Sequence, residues 1–229
     1  MAGGEREEVE LKLGAADAGP LDVLARLDRL GPASLGPPGT ASETDVYLDT
    51  RDGRLATARW ACRLRSRGGR TIVSLKGPAT ATGGGPGQIL HRRPEVEGPA
   101  TAEPRPSDWP PSEARDRLAA LTGGAQLVER FSLRQERTER SVHRAGAPVG
   151  ILSLDRVEIL HDGRSAGRLF AVELELAPGE ADDASLVGDL ATALTAISGL
   201  HPDPRTKLEH ALALIAPPAT PGRTPPSGR

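Results

Sequence analysis

Glu5-Arg6-Glu7-Glu8-Val9-Glu10-Leu11-Lys12-Leu13 alternates strictly over its second half: Val9, Leu11 and Leu13 fall on one side, and Glu8, Glu10 and Lys12 on the other. A period of two is that of a β-strand, whose successive side chains point to opposite faces. The polar side is the informative one, because it carries full charges rather than serine or threonine. The habit returns along the chain. Arg63, Arg65 and Arg67 share a face of an expected strand at 60–67, and Arg93, Glu95 and Glu97 share one at 89–97. Ser153 and Asp155 do the same at 150–160, and Glu173 and Glu175 stand opposite Val172, Leu174 and Leu176 at 168–176.

Each of these strands alone suits an antiparallel sheet with one wet face. Together they do not, because arginines at i, i+2 and i+4 and carboxylates at i and i+2 repel one another on an open surface. A closed ring resolves the conflict: the charged faces meet in a lumen and the apolar faces turn outward, to be covered by amphipathic helices. A ring of about eight strands has room for side chains and one small ligand. The expected fold is therefore α+β, an eight-stranded closed antiparallel β-barrel with external helices.

The remaining elements fit around that ring. Leu21, Val23, Leu24, Leu27 and Leu30 predict a helix over 17–30, with Asp17 as N-cap and Gly31 as its stop. A loop follows at 32–40 and a short strand at 44–49. Gly68-Gly69 marks a hairpin between 60–67 and 70–76. The Gly- and Thr-rich stretch 78–87 reads as a loop, and it lacks the Lys-Ser/Thr that a phosphate loop requires. Ser112 caps a helix to 121, a long strand covers 126–143, and helices are expected at 182–197 and 204–215. The Pro-rich stretch 217–229 reads as a disordered tail, which leaves 5–216 as one domain.

Composition narrows the function. Only 2% of the 229 residues are aromatic, so the core must be built from Val, Leu, Ile and Ala. A net charge of −2 argues against a nucleic-acid or membrane-surface binder, so neither partner is expected. The single cysteine, Cys62, excludes a disulfide framework and a cysteine zinc site. With no apolar leader and no run near the ~20 residues of a membrane span, a cytoplasmic protein is expected. Lys12, Lys76 and Lys207 are the only lysines among 29 basic residues, which suggests a need for compact ammonium groups at those positions.

A lumen holding both signs of charge suits a polyphosphate. Arginine grips phosphate oxygens through paired N–H donors and lysine supplies a point charge. Clustered carboxylates bind hard divalent cations, and without such an ion they are costly to bury. The implied chemistry is metal-assisted phosphoanhydride hydrolysis.

The ordered set of motifs resembles the CYTH superfamily, the triphosphate tunnel metalloenzymes. Glu8-Val9-Glu10-Leu11-Lys12 is similar to the family's opening ExExK strand, Tyr47-Leu48-Asp49-Thr50 to its YxDT segment, and Arg63-Leu64-Arg65 to its paired-arginine strand. Lys76, Arg93-Pro94-Glu95-Val96-Glu97, Arg137 (with Arg134 as the rival register), Asp155, Glu173-Leu174-Glu175 and Lys207 follow in the family's order. The resemblance implies an eight-stranded tunnel that binds a triphosphate with Mg²⁺ or Mn²⁺. It implies Glu8, Glu10, Asp155, Glu173 and Glu175 as metal ligands, with Glu97 assisting. Lys12, Arg63, Arg65, Lys76, Arg137 and Lys207 are implied as phosphate-binding, and Glu8, Glu10, Lys12 and Lys76 as the catalytic set.

Tyr47 is expected to pack in the barrel, Asp49 and Thr50 to cap a turn, Cys62 to face outward, Trp60 and Trp109 to anchor packing, and the five histidines to be surface or structural. Inorganic triphosphate is the favoured substrate, because base-recognition residues are not evident. Thiamine triphosphate hydrolysis, cyclisation of ATP, and a non-catalytic polyphosphate- or nucleotide-binding role are the alternatives.

Overall fold

The computed structural model describes residues 5–83 and 89–216. The expected tail at 217–229 and part of the 78–87 stretch lie outside the described residues. Eight strands close the ring: β1 (Arg6–Ala15), β4 (Gly39–Thr50), β5 (Ala61–Arg67), β6 (Arg70–Lys76), β8 (Ile89–Pro99), β9 (Leu127–Arg144), β10 (Ala147–His161) and β11 (Arg164–Leu176). β1 pairs with β8, β8 with β6, and so on through β5, β4, β9, β10 and β11 back to β1, every pairing antiparallel. Four short strands decorate it: β2 (Arg29–Leu30), β3 (Ala33–Leu35), β7 (Thr80–Gly83) and β12 (Leu200–Pro202).

Pairing register carries the sequence alternation around the ring. Glu8 stands opposite Arg93, Lys12 opposite Glu173, Lys76 opposite Glu95, Arg65 opposite Asp45, and Arg137 opposite Asp155. Cross-strand partners share a face, so the charged residues of these pairs all meet the lumen, while β9 and β10 also carry Arg134, Glu136 and Arg156 on the outer face.

The apolar sides turn outward beneath helices. Val9, Leu11, Leu13, Leu152, Leu154, Val172 and Leu174 pack under Leu21 and Leu24 of α1 (Gly19–Arg26) and Leu186, Leu190 and Leu194 of α4 (Ala184–Thr195). On the other flank Cys62, Leu64, Val73, Leu75 and Val96 lie under Leu55 of α2 (Arg54–Thr57), Trp109, and Ala114 and Leu118 of α3 (Glu113–Thr122). Ser112 caps α3 as expected, accepting from the Arg115 amide. Gly98 lets α3 come this close, because a Cβ there would stand 2.4 Å from the Ser112 hydroxyl. A third cluster fills one end of the lumen: Tyr47, Phe131, Leu133, Val157 and Ile159 pack on Leu208 and Ala211 of α5 (Lys207–Ile215).

Several boundaries differ from expectation. The helix expected over 17–30 ends at Arg26, where Leu27 turns extended. Arg29–Leu30 then pairs with Ala33–Leu35, and Gly31, at φ +55°, serves that hairpin. Leu27 and Leu30 matched a helical spacing because the hairpin buries them beside α1. Asp17 does not cap the helix; its Oδ1 accepts from the Gly19 amide, and Ala18 is the N-cap. The loop expected at 32–40 contains β3 and the start of β4, and the short strand at 44–49 runs twelve residues. Trp60 precedes β5 rather than opening it. Within the expected 78–87 loop, 80–83 pairs with β8.

One buried arginine outside the lumen holds the α1 corner together. Arg140 donates to the carbonyls of Leu24 (2.9 Å), Ala25 (3.1 Å), Leu27, Leu35 (3.3 Å) and Gly36 (2.7 Å). Unsatisfied buried acceptors cost about 1–3 kcal/mol each. Arg140→Met is therefore expected to lower unfolding stability by about 3 kcal/mol or more in urea titrations; a loss under about 1 kcal/mol would show that the corner is held by α1 packing alone.

Candidate active site

Ring closure leaves a cavity of about 460 Å³ along the lumen. Its walls are a lattice of ion pairs in which carboxylates and cations alternate. Glu8 takes Lys76 at 2.6 Å through Oε1 and Arg93 at 2.6 Å through Oε2. Arg93 reaches on to Glu10 at 3.0 Å. Lys12 lies 3.6 Å from Glu10 and 3.2 Å from Glu173. Arg137 grips both oxygens of Asp155 at 2.7 Å and Glu173 at 3.1 Å. Lys207, carried into the lumen by the first turn of α5, reaches Asp155 and Glu173, each at 2.8 Å. Arg65 is bidentate on Asp45, both contacts 2.8 Å, and Arg63 approaches the same carboxylate at 3.4 Å. At one rim Arg6 bridges Glu95 (2.7 Å) and Glu175 (2.9 Å).

Every site residue expected from sequence is thus brought to one lumen. The rival registers resolve in favour of Arg137, while Arg134 is exposed on the outer face beside Glu136 and Arg156. Tyr47 stacks on Phe131 with centroids 4.6 Å apart, as a packing residue. Asp49 and Thr50 cap α2: Asp49 accepts from the Leu55 and Ala56 amides, and Thr50 Oγ1 from Arg54. Cys62 is buried in the outer apolar layer, and burial pushes its thiol up to about 12. Trp60 lines the cavity at the rim, with Arg117 over its ring at 5.4 Å.

The lumen also holds charged residues to which no role was given from sequence. Glu43 and Asp45 are the clearest: Glu43 receives Arg65 (3.2 Å) and Arg67 (3.0 Å), and Asp45 is fully buried. The signal was present, since Glu43, Asp45 and Tyr47 alternate with Thr44, Val46 and Leu48. Arg93 and Glu95 were placed on the charged face but assigned no contact. Of the two readings expected for it, surface or structural, burial removes the first for His91, which stands opposite Glu10 with no partner for its Nε2 among the described residues.

Burial alone would raise Glu8, Asp45, Glu95, Asp155 and Glu173, and at each of them the neighbouring cations more than reverse it. Lys76 and Arg93 hold Glu8 well below the usual range, and Lys207, Lys12 and Arg137 do the same for Glu173. Glu175 moves the other way, raised by burial and by the charge of Glu8 beyond what Arg6 offsets. That corner carries excess negative charge. Among the described residues no three carboxylate, imidazole or thiol groups stand as a ready chelate. The donor chemistry still fits a hard divalent cation: all the acids are oxygen donors, and Glu10 and Glu175 are direct cross-strand partners beside Glu8 and Glu173.

A closed antiparallel tunnel with an acid–base lumen defines the structural class. The chain belongs to the CYTH domain family, whose model matches residues 6–212. Among solved structures it is similar to HpAC1 from Hippeastrum, an adenylyl cyclase candidate with a dominant triphosphatase activity (TM-score 0.66, 22% identity, 92% of this chain and 98% of that one). It is also similar to an adenylate cyclase candidate from Bacillus halodurans (TM-score 0.61, 20% identity, 90% and 98%) and to the PH1819 protein from Pyrococcus horikoshii (TM-score 0.55, 19% identity, 90% and 98%). At these identities the likeness is one of fold. No curated protein matches the chain. Among the described residues no helix is long and apolar enough to cross a membrane.

The lattice gives acid stability a definite form. Burial raises the Asp45 carboxyl, but Arg63 and Arg65 more than offset this and hold it at about 2. A depressed folded-state pKa means that its stabilisation is complete above the unfolded value near 3.9 and is lost as pH falls from about 4 to about 2. Asp45 alone is expected to contribute about 2 kcal/mol of that loss. Urea titrations across this pH window should show a shallower slope for Asp45→Asn, and a slope equal to that of the parent would contradict the assignment.

Proposed function

We propose that this chain hydrolyses inorganic triphosphate in its lumen with Mg²⁺ or Mn²⁺. One observation carries the reading: nearly every lumen carboxylate is matched to a lumen cation, so the tunnel's own charges neutralise one another. A triphosphate takes the cations, which leaves the acids in need of a metal. Lys12, Arg63, Arg65, Lys76, Arg137 and Lys207, joined by Arg93, would bind and orient the phosphate oxygens. Glu8, Glu10, Glu173 and Glu175, with Asp155, would hold the metal. A bound divalent ion supplies charge neutralisation at the phosphoryl oxygens and lowers the cost of presenting a hydroxide-like water.

The chain's own groups do the rest. The arginines fix the terminal phosphoryl group so that water attacks phosphorus in line with the bridging oxygen. The P–O bond to that oxygen breaks, and pyrophosphate departs with the bonding pair. Lys12 and Lys76 stabilise the charge that builds on the leaving oxygen. The water's proton passes to a lumen carboxylate or to solvent, giving orthophosphate and pyrophosphate. The dominant triphosphatase activity of HpAC1 runs in the same direction.

ATP turnover is the second reading. Trp60, Pro78 and Leu212 are among the residues that line the cavity and would offer apolar surface to a base.

A phosphate-release assay on tripolyphosphate with Mg²⁺ or Mn²⁺, run beside ATP and thiamine triphosphate, is expected to favour tripolyphosphate. Glu10→Ala should lose about a hundredfold or more in kcat; parental turnover by that variant would sink the reading. The ion-exchange logic has its own readout. Metal alone and tripolyphosphate alone should each raise Tm little, while both together should raise it by more than the sum, as reciprocal coupling of about 5–150-fold in affinity requires. Strictly additive shifts would contradict it.

A further inference from the structure

Among the described residues Lys207 is the one cation of the lumen's ion-pair lattice that does not come from a barrel strand. It stands at the first position of α5, so its depth in the lumen depends on how that helix is seated. The start of α5 is well defined: Thr206 accepts from the Glu209 amide, and Glu209 accepts from the Thr206 amide. Its far side is apolar, with Leu208 and Ala211 against Tyr47, Phe131 and Ile159. Apolar contacts are non-directional and leave rotation and sliding of a nine-residue helix weakly opposed.

A directional contact stands one turn further on. His210 Nε2 meets Asp203 Oδ2 at 2.5 Å. A carboxylate accepts, so Nε2 carries the proton. Asp203 is in turn anchored to the catalytic strand itself. Leu200–Pro202 pairs with Leu13–Ala15, and the Asp203 amide donates to the Lys12 carbonyl at 3.1 Å. Asp203 Oδ1 also accepts from the Arg205 amide at 3.1 Å. Gly14 makes the approach possible, because a Cβ there would sit 3.1 Å from both Asp203 Oδ2 and His201 Nε2. A rigid path thus runs from Lys12 through Asp203 and His210 to the turn that carries Lys207. Neither Asp203 nor His210 lines the main cavity.

We propose that Asp203 and His210 are positioning residues, a latch that fixes the Lys207 ammonium at phosphate depth. The inference rests on the triphosphatase reading. The latch acts only through Lys207, and that makes it separable from general stability.

The test is a mutant cycle on the full chain: His210→Ala, His210→Gln, Asp203→Asn, Lys207→Ala and the double variant Lys207→Ala/His210→Ala. Steady-state kcat and KM for tripolyphosphate are read alongside calorimetric tripolyphosphate binding and Tm. His210→Ala is expected to raise KM by about tenfold, the scale of one well-placed charged hydrogen bond, with kcat little changed. His210→Gln, which keeps an N–H donor, should recover most of the loss. In the Lys207→Ala background, His210→Ala should add nothing. Losses that multiply in the double variant, or a His210→Ala variant with parental KM and binding, would overturn the latch. If His210→Ala fails to fold, Asp203→Asn and His210→Gln carry the same cycle against Lys207→Ala. A parent chain that neither turns over nor binds tripolyphosphate would sink the functional reading instead, a different outcome from an active parent with additive variants.

Discussion

The structure depends on one constraint, closure of the eight strands into a ring, which puts their lumen-facing charges in a confined space. Away from bulk water a lone carboxylate or guanidinium costs several kcal/mol, and only a close opposite charge with good hydrogen-bond geometry offsets that. Ring closure therefore demands near-complete matching of signs inside the lumen. Asp155 illustrates the result: it is fully buried and held by both Arg137 and Lys207. Glu175 at the rim, which shares the single cation Arg6 with Glu95, is more weakly matched, and its carboxyl is raised.

Self-neutralisation has a functional corollary. A lumen of unpaired cations would bind any anion, and a lumen of unpaired acids any cation. Here each sign guards the other, so an occupant gains only by replacing both kinds of contact at once. A polyanion together with a divalent cation does this; a monovalent salt does not. The apolar layer outside the ring supports the arrangement by rigidity. Helices α1, α3 and α4 press Val9, Leu64, Val73 and Leu152 outward-in and hold the strand faces that aim the charges.

Much of this was legible in the sequence because period two is a strong signal when the polar side is fully charged. Glu8, Glu10, Lys12, Arg63, Arg65, Glu173 and Glu175 could be placed on one surface without coordinates. Asp45 and Glu43 carried the same signal in a strand whose outer face is also polar at Ser42 and Thr44, which weakens the contrast between faces. The α1 region failed for a different reason. Leu27 and Leu30 satisfy helical spacing and hairpin burial equally, and the deciding contact, Arg140 on the carbonyls of that corner, comes from more than a hundred residues away. The seating of α5 by Asp203 and His210 was equally invisible, since it depends on a three-residue strand pairing with β1.

The most direct measurement is a crystal structure grown with Mn²⁺ and tripolyphosphate, with the metal located by its anomalous signal. A self-neutralising exchange site predicts one manganese peak inside the ring, bonded to carboxylates drawn from Glu8, Glu10, Glu173 and Glu175. It also predicts the triphosphate on Arg63, Arg65, Arg137 and Lys207, with the ion pairs between lumen side chains broken. Manganese and triphosphate bound only on the outer face, near Arg134 and Arg156, with the lumen ion pairs intact, would contradict it.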